Sequence, residues 1–288
     1  MAVPDVSSLM QWSHWHPLKG SGRNAAVPIT PGIYRTRVAE TGEVIYIGQT
    51  GRSLRGRLGM LTTCYGAEMP YRDPHTAAAT LWALRDRDGV DFEVSTAAVE
   101  STKVERLALE TVAITTHRVE HGSSPVANFG GGIVGYRLSS ANNAALVAAV
   151  KRFRGGRDPL ATATESVPVP GPLDREVTAG DWLGLMWSPW SQFTAAAAVS
   201  ELGLYRIRRH GEENLVYVGQ GRIGDRVRAD FAKRARAGHR QAPHFSGSLG
   251  VSWVVLNAAK RALLELENDA IASHRLVRGI APHAQFIG

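Results

Sequence analysis

Two pairs of tyrosines stand at the same interval in this chain, and paired phenols are residues that can serve one site. Tyr34 and Tyr46 lie in "PGIYRTRVAETGEVIYIGQT", Pro31 to Thr50, where Gly-Ile-Tyr is answered after a short turn by Tyr-Ile-Gly. Tyr205 and Tyr217 repeat the spacing in "LGLYRIRRHGEENLVYVGQG", Leu202 to Gly221. Behind each pair comes an arginine-bearing segment. The first holds Arg52, Arg55 and Arg57; the second holds Arg222, Arg226, Arg228, Lys233, Arg234 and Arg236. Arginines beside a site can track a phosphate backbone and make binding strongly salt-dependent. Taken singly, each arginine is as well explained by a solvated helix face, and each tyrosine pair by ordinary sheet packing. The repetition shifts that balance.

Such residues need elements to hold them. "IYRTRV" and "EVIYIG" are short and rich in β-branched and aromatic residues, and Thr41-Gly42 between them offers turn chemistry, so they read as an antiparallel hairpin with Tyr34 and Tyr46 nearly opposite, about 5 Å apart. The hairpin recurs, and so does what surrounds it. Trp12 and Trp15 correspond to Trp187 and Trp190, and Pro74-His75 to Pro243-His244. "LETVAITTHRVEHGSSPVANF" aligns without a gap on "LENDAIASHRLVRGIAPHAQF", pairing Glu110 with Glu267 and Asn128 with Gln285. The chain is a tandem duplication.

A length of 288 residues suits two compact units, each able to bury its own core. The repeat places an N-terminal domain at residues 1–155, a Pro-, Thr- and Ala-rich linker at 156–180 and a C-terminal domain at 181–288. Cys64 is the only cysteine, which excludes an intrachain disulfide and suits a reducing cytoplasm. The start is not signal-like, and the longest apolar run is too short to span a bilayer. With 33 Lys and Arg against 26 Asp and Glu, the formal charge is +7, which favours a polyanionic partner.

The order Gly-Ile-Tyr, Tyr-Ile-Gly, helix arginine, helix glutamate, Pro-x-x-Asn resembles the GIY-YIG nuclease superfamily, once per half. In the first half Tyr34, Tyr46, Arg57, Glu110 and Asn128 match the family's functional positions, with Arg55 one helical step from Arg57. In the second half Tyr205, Tyr217, Arg226 and Glu267 match, with "GLY" for GIY, "YVG" for YIG and Gln285 in place of asparagine. The resemblance implies an α+β fold of two GIY-YIG-like domains, each a small, mainly antiparallel three-stranded sheet flanked by helices, arranged as an internal pseudo-dimer that needs no second chain. It also implies phosphodiester hydrolysis. Tyr34 is then the general base, Tyr46 its partner in positioning, and Asn128 a holder of the site. Glu110 and Glu267 are ligands of Mg²⁺ or Mn²⁺, because a lone carboxylate suits a hard cation that keeps several waters. Arg57 and Arg226 stabilise charge growing on phosphoryl oxygens without titrating.

Glu105 rivals Glu110 as the ligand, but it falls opposite Ala262 in the second copy, whereas Glu110 keeps its carboxylate as Glu267. His75 and His244 could assist proton transfer or touch phosphate, and are equally well read as plain loop histidines. The tryptophan pairs read as packing. No HExxH, paired CxxC or Walker motif occurs, so neither zinc nor a nucleotide cofactor is expected. The function expected is a restriction-type or defence endonuclease acting on double-stranded DNA with two sites in one chain. Two alternatives stay open: a module that binds unusual or modified DNA with silent sites, and a repair or branched-DNA nickase.

Overall fold

The computed structural model describes residues 10–287, so the first nine residues of the expected N-terminal domain lie outside it. Among the described residues the chain is α+β, with seven α-helices and three antiparallel sheets of four, two and three strands. No helix among them is long and apolar enough to cross a membrane. Two compact units are present, and they are not simply the two halves of the repeat. One holds residues 10–101 and 124–165; the other holds 102–123 and 166–287.

The first unit contains β1 (His16–Pro17), β2 (Gly32–Val38), β3 (Val44–Thr50), α1 (Leu54–Leu61), α2 (Ala78–Asp88) and β4 (Phe92–Ala98). Its main sheet runs in the order β1-β4-β2-β3, four strands where three were expected, because His16 and Pro17 add a short edge to β4. The β2–β3 hairpin forms as its alternating composition demands, but its register differs from simple opposition. Tyr34 faces Gly48, and Tyr46 faces Thr36. The turn closes around Gly42, which takes a left-handed φ of 75°, and a bulge follows between Thr36 and Arg37. The tyrosines are therefore diagonal neighbours, still within reach of one another because aromatic side chains span that distance.

Helix α1 starts where Ser53 Oγ accepts the Gly56 amide at 3.1 Å, an ordinary N-cap. Leu54, Leu58 and Leu61 then recur on one face and are buried in the core with Tyr34, Ile45, Phe92 and Val94. Beyond residue 101 the chain leaves this unit, and returns to it for β5 (Tyr136–Arg137), α4 (Ala144–Ala148) and β6 (Gly156–Arg157), which pairs with β5.

The second unit contains α3 (Lys103–His121), α5 (Phe193–Ala197), β7 (Leu202–Arg209), β8 (Leu215–Arg222), α6 (Ile223–Ala232), β9 (Leu249–Val255) and α7 (Lys260–Arg278). Its sheet runs β8-β7-β9. Tyr205 faces Gly219, Ile207 faces Tyr217, and the register slips between Ile207 and Arg208, which reproduces the first hairpin residue for residue. Helix α3 begins where Thr102 Oγ1 accepts the Glu105 amide at 3.2 Å, an N-cap like that of α1, and it packs against α7. The seam is polar. Arg118, fully buried, reaches Asp269 at 2.9 Å and Glu265 at 3.3 Å, and Thr115 donates to Asp269 at 2.9 Å.

The segment expected as a linker is not a free connector. Its first two residues pair in the first unit as β6, while Leu173 and Val177 are buried in the second core with Trp182 and Leu183. The tryptophans also have partners that spacing did not reveal. Arg35 lies over Trp12 and Trp15 at 4.4 and 4.7 Å, and its counterpart Arg206 lies over Trp187 and Trp190 at 4.4 and 4.7 Å. Each stack braces the side of its sheet away from the tyrosines, because side chains alternate along β2 and β7. The Arg206 guanidinium also donates to the carbonyls of Val177, at 2.5 Å, and Ala179, at 2.9 Å, which pins the end of the former linker.

Candidate active site

The strands bring the two phenols of each hairpin together: ring centroids are 5.9 Å apart for Tyr34 and Tyr46, and 6.2 Å for Tyr205 and Tyr217. The glycine after each second tyrosine explains why there is room. A Cβ built on Gly48 would come within 2.5 Å of the Tyr46 ring and 2.9 Å of the Tyr34 hydroxyl, closer than any real side chain tolerates. The same atom on Gly219 would strike the Tyr205 hydroxyl. Gly48 is thus a seat for both phenols of its hairpin, and Gly219 a seat for Tyr205, rather than turn residues.

Around Tyr34 the first copy gathers donors. The buried His75 places Nε2 2.7 Å from Tyr34 Oη, while its Nδ1 accepts the Ala77 amide at 3.2 Å. A neutral imidazole that accepts at Nδ1 carries its proton on Nε2, so His75 donates to the phenol oxygen. Burial, with Arg57 nearby, lowers the His75 pKa to about 3, which keeps the ring neutral. His75 is therefore a donor to Tyr34 and not a base that could take its proton. Arg57 adds a longer contact from Nε to the same oxygen at 3.4 Å and is anchored by Nη1 on the Pro74 carbonyl at 2.7 Å. Arg55 turns the other way, donating to the carbonyls of Val27 and Ala25 at 2.9 and 3.1 Å. Position thus separates the two arginines that spacing left adjacent.

Asn128 does not approach the phenols through these bonds. Its amide clamps the backbone of Ile47, next to Tyr46, accepting the Ile47 N–H at 3.0 Å and donating to its carbonyl at 2.9 Å. Gln285 reaches the corresponding residue of β8 with one such bond, from the Val218 N–H at 3.3 Å. Phe129 and Phe286, which follow them, both adopt left-handed backbone, φ 55° and 66°. Glu110 lies half-buried on α3 and Glu267 half-buried on α7, both helices of the second unit.

The second cluster keeps the strands and changes the chemistry. Tyr205 Oη donates to Asp230 Oδ2, and Asp230 Oδ1 pairs with Lys233 at 2.6 Å. His244 does not take the place of His75; it is partly exposed and stacks on His283 at 6.5 Å. The ring meeting Tyr217 edge-on is Phe245, at 6.0 Å, as His75 meets Tyr46 at 5.5 Å. Burial lifts the Glu267 pKa to about 7, against the pull of Arg226. Burial also raises the phenols of Tyr205 and Tyr217, Tyr205 well above its ordinary value, with Asp230 adding to both shifts. Sequence reading did not single out Asp230. The available signal was a charge on the apolar face of α6, in line with Ile223 and Val227, where the first copy has Leu61.

The remaining cations are unequal. Arg52, Arg234 and Arg236 are exposed, whereas Arg222 and Arg228 share Asp225, at 3.6 and 2.5 Å. Among the described residues no group of three His, Cys, Asp or Glu side chains could hold a metal. The donor set offered by sequence is one carboxylate per copy; His75 is no ligand, since both ring nitrogens are engaged. That set fits a hard cation such as Mg²⁺, which takes one or two protein oxygens, and not a thiolate- or imidazole-bound metal. Comparison with family models, with curated proteins and with solved structures gives no match.

Proposed function

We propose that the chain is a divalent-metal-dependent DNA endonuclease of the GIY-YIG kind, with its hydrolytic centre on Tyr34. The observation that carries this reading is the Tyr34 oxygen, buried beside Tyr46 with the His75 and Arg57 N–H groups directed at it. Donors aimed at an oxygen stabilise negative charge there. As a phenolate, Tyr34 takes a proton from water while the water oxygen bonds to phosphorus. The bond from phosphorus to the leaving sugar oxygen breaks, and that oxygen takes up a proton from solvent water. Arg57 offers a permanent cation for the charge on the phosphoryl oxygens, Tyr46 positions the reacting groups, and the Asn128 clamp keeps β3 in register. By resemblance and by its repetition as Glu267, Glu110 is the residue that would hold Mg²⁺ or Mn²⁺. When bound, such an ion neutralises charge on the phosphate.

Two GIY-YIG-like folds forming an internal pseudo-dimer belong to the same proposal. It is supported by the repeated hairpin register and bulge, by Gly48 and Gly219, and by the left-handed Phe129 and Phe286. Double-stranded DNA is the proposed substrate, restriction or defence the proposed setting, and exposed Arg52, Arg234 and Arg236 the proposed backbone contacts. The test is cleavage of plasmid, methylated and phage DNA with Mg²⁺ or Mn²⁺. Cleavage is expected to vanish with chelator and in Glu110→Ala, while that variant still binds DNA. Binding without cutting under every metal and pH would make the chain a DNA-binding module instead.

A further inference from the structure

The second tyrosine pair has the same hairpin beneath it, but its phenol meets an acceptor, Asp230, where the first copy's phenol meets a donor, His75. In the first copy the oxygen of Tyr34 accepts from His75 and Arg57. In the second, fully buried Tyr205 gives its proton to the carboxylate of Asp230, which as half of an ion pair with Lys233 can only accept. A phenol so held has its proton committed and no capacity to take another from water. The two positions that change the phenol's partner are both exchanged: the apolar Leu61 has become Asp230, and the imidazole edge at the second tyrosine has become the ring of Phe245. Arg226 remains exposed and approaches the Tyr205 phenol, so the capacity to hold a phosphate outlives the capacity to hydrolyse it.

Resting on the nuclease reading above, we propose that the C-terminal copy grips the DNA backbone without cutting it, so that each chain has one hydrolytic centre, at Tyr34, and cuts one strand per encounter. Linear product then requires a second chain or a second encounter. The test uses the full chain on an asymmetric duplex whose two strands carry different end labels. Tyr34→Phe should lower cutting of both strands together, by about 100-fold or more, and Arg57→Ala, which removes no buried ring, should also lower both. If either variant goes on cutting one strand at the wild-type rate, the proposal is overturned. A second measurement does not depend on cleavage: tyrosine labelled with ¹³C at the ζ carbon, with Tyr205→Phe to assign the signal. Tyr205 should remain protonated above the ordinary tyrosine value of about 10; ionisation of Tyr205 at or below that ordinary value would overturn the proposal. Wild-type protein that cuts neither strand defeats the nuclease reading, and the phenol measurement then decides by itself whether Tyr205 is held as a donor.

Discussion

The hairpins at Tyr34 and Tyr205 are a controlled comparison inside one molecule. The hairpin register, the bulge and a glycine that leaves room for the first phenol's hydroxyl are the same, yet one phenol meets a donor, His75, and the other an acceptor, Asp230. The difference teaches that backbone geometry and site chemistry are held by separate residues. Backbone hydrogen bonds and close-approach glycines fix the first, because any added atom there collides. Two or three side chains arriving from loops and helices fix the second, and they can be exchanged without disturbing the strands.

The largest expected effect sets the arginines against each other. Arg57→Ala should reduce turnover about 10²- to 10³-fold with little change in affinity, as loss of a charge that acts in the transition state does. Arg226→Ala should weaken DNA binding and make it less salt-dependent, with turnover at saturating DNA falling far less. Single-turnover rates and binding isotherms read out both; equal losses of turnover would erase the asymmetry.

A smaller effect concerns the residue that changes the phenol's partner. Asp230→Leu installs the first copy's side chain but leaves the buried Tyr205 hydroxyl without its acceptor, which should cost about 1–3 kcal/mol in chemical denaturation. Asp230→Asn keeps an acceptor and should cost less. If leucine proves the more stable replacement, the Tyr205–Asp230 bond does not hold the second copy together.

The smallest expected effect is an absence. With its pKa lowered to about 3 by burial, His75 should show no imidazole titration by NMR between about pH 8 and 5, where an ordinary histidine titrates near 6.5. The linkage has a definite sign. Below about pH 6.5 the unfolded chain takes up a proton on His75 that the folded chain refuses until about pH 3, so stability falls as pH falls through that window. A His75 signal that titrates near pH 6.5 would mean a charged ring, which would remove the assigned tautomer.

The sequence by itself determined the duplicated hairpins, the glycines and the tyrosine pairs, because period-two alternation, turn chemistry and self-similarity act over a few neighbouring residues. The starts of α1 and α3 are local too, set by the Ser53 and Thr102 caps, although the structure and not the sequence reading brought them out. Tertiary structure alone decided the rest. His75 comes to Tyr34 from 41 residues away and Asp230 to Tyr205 from 25, and no local pattern states that those atoms meet. Leu173 and Val177 read as connector by composition but are buried, because a core takes whichever apolar side chains the chain's path brings to it. Only the fold shows which nitrogen of His75 faces a backbone amide, and so which way the proton points between a ring and a phenol.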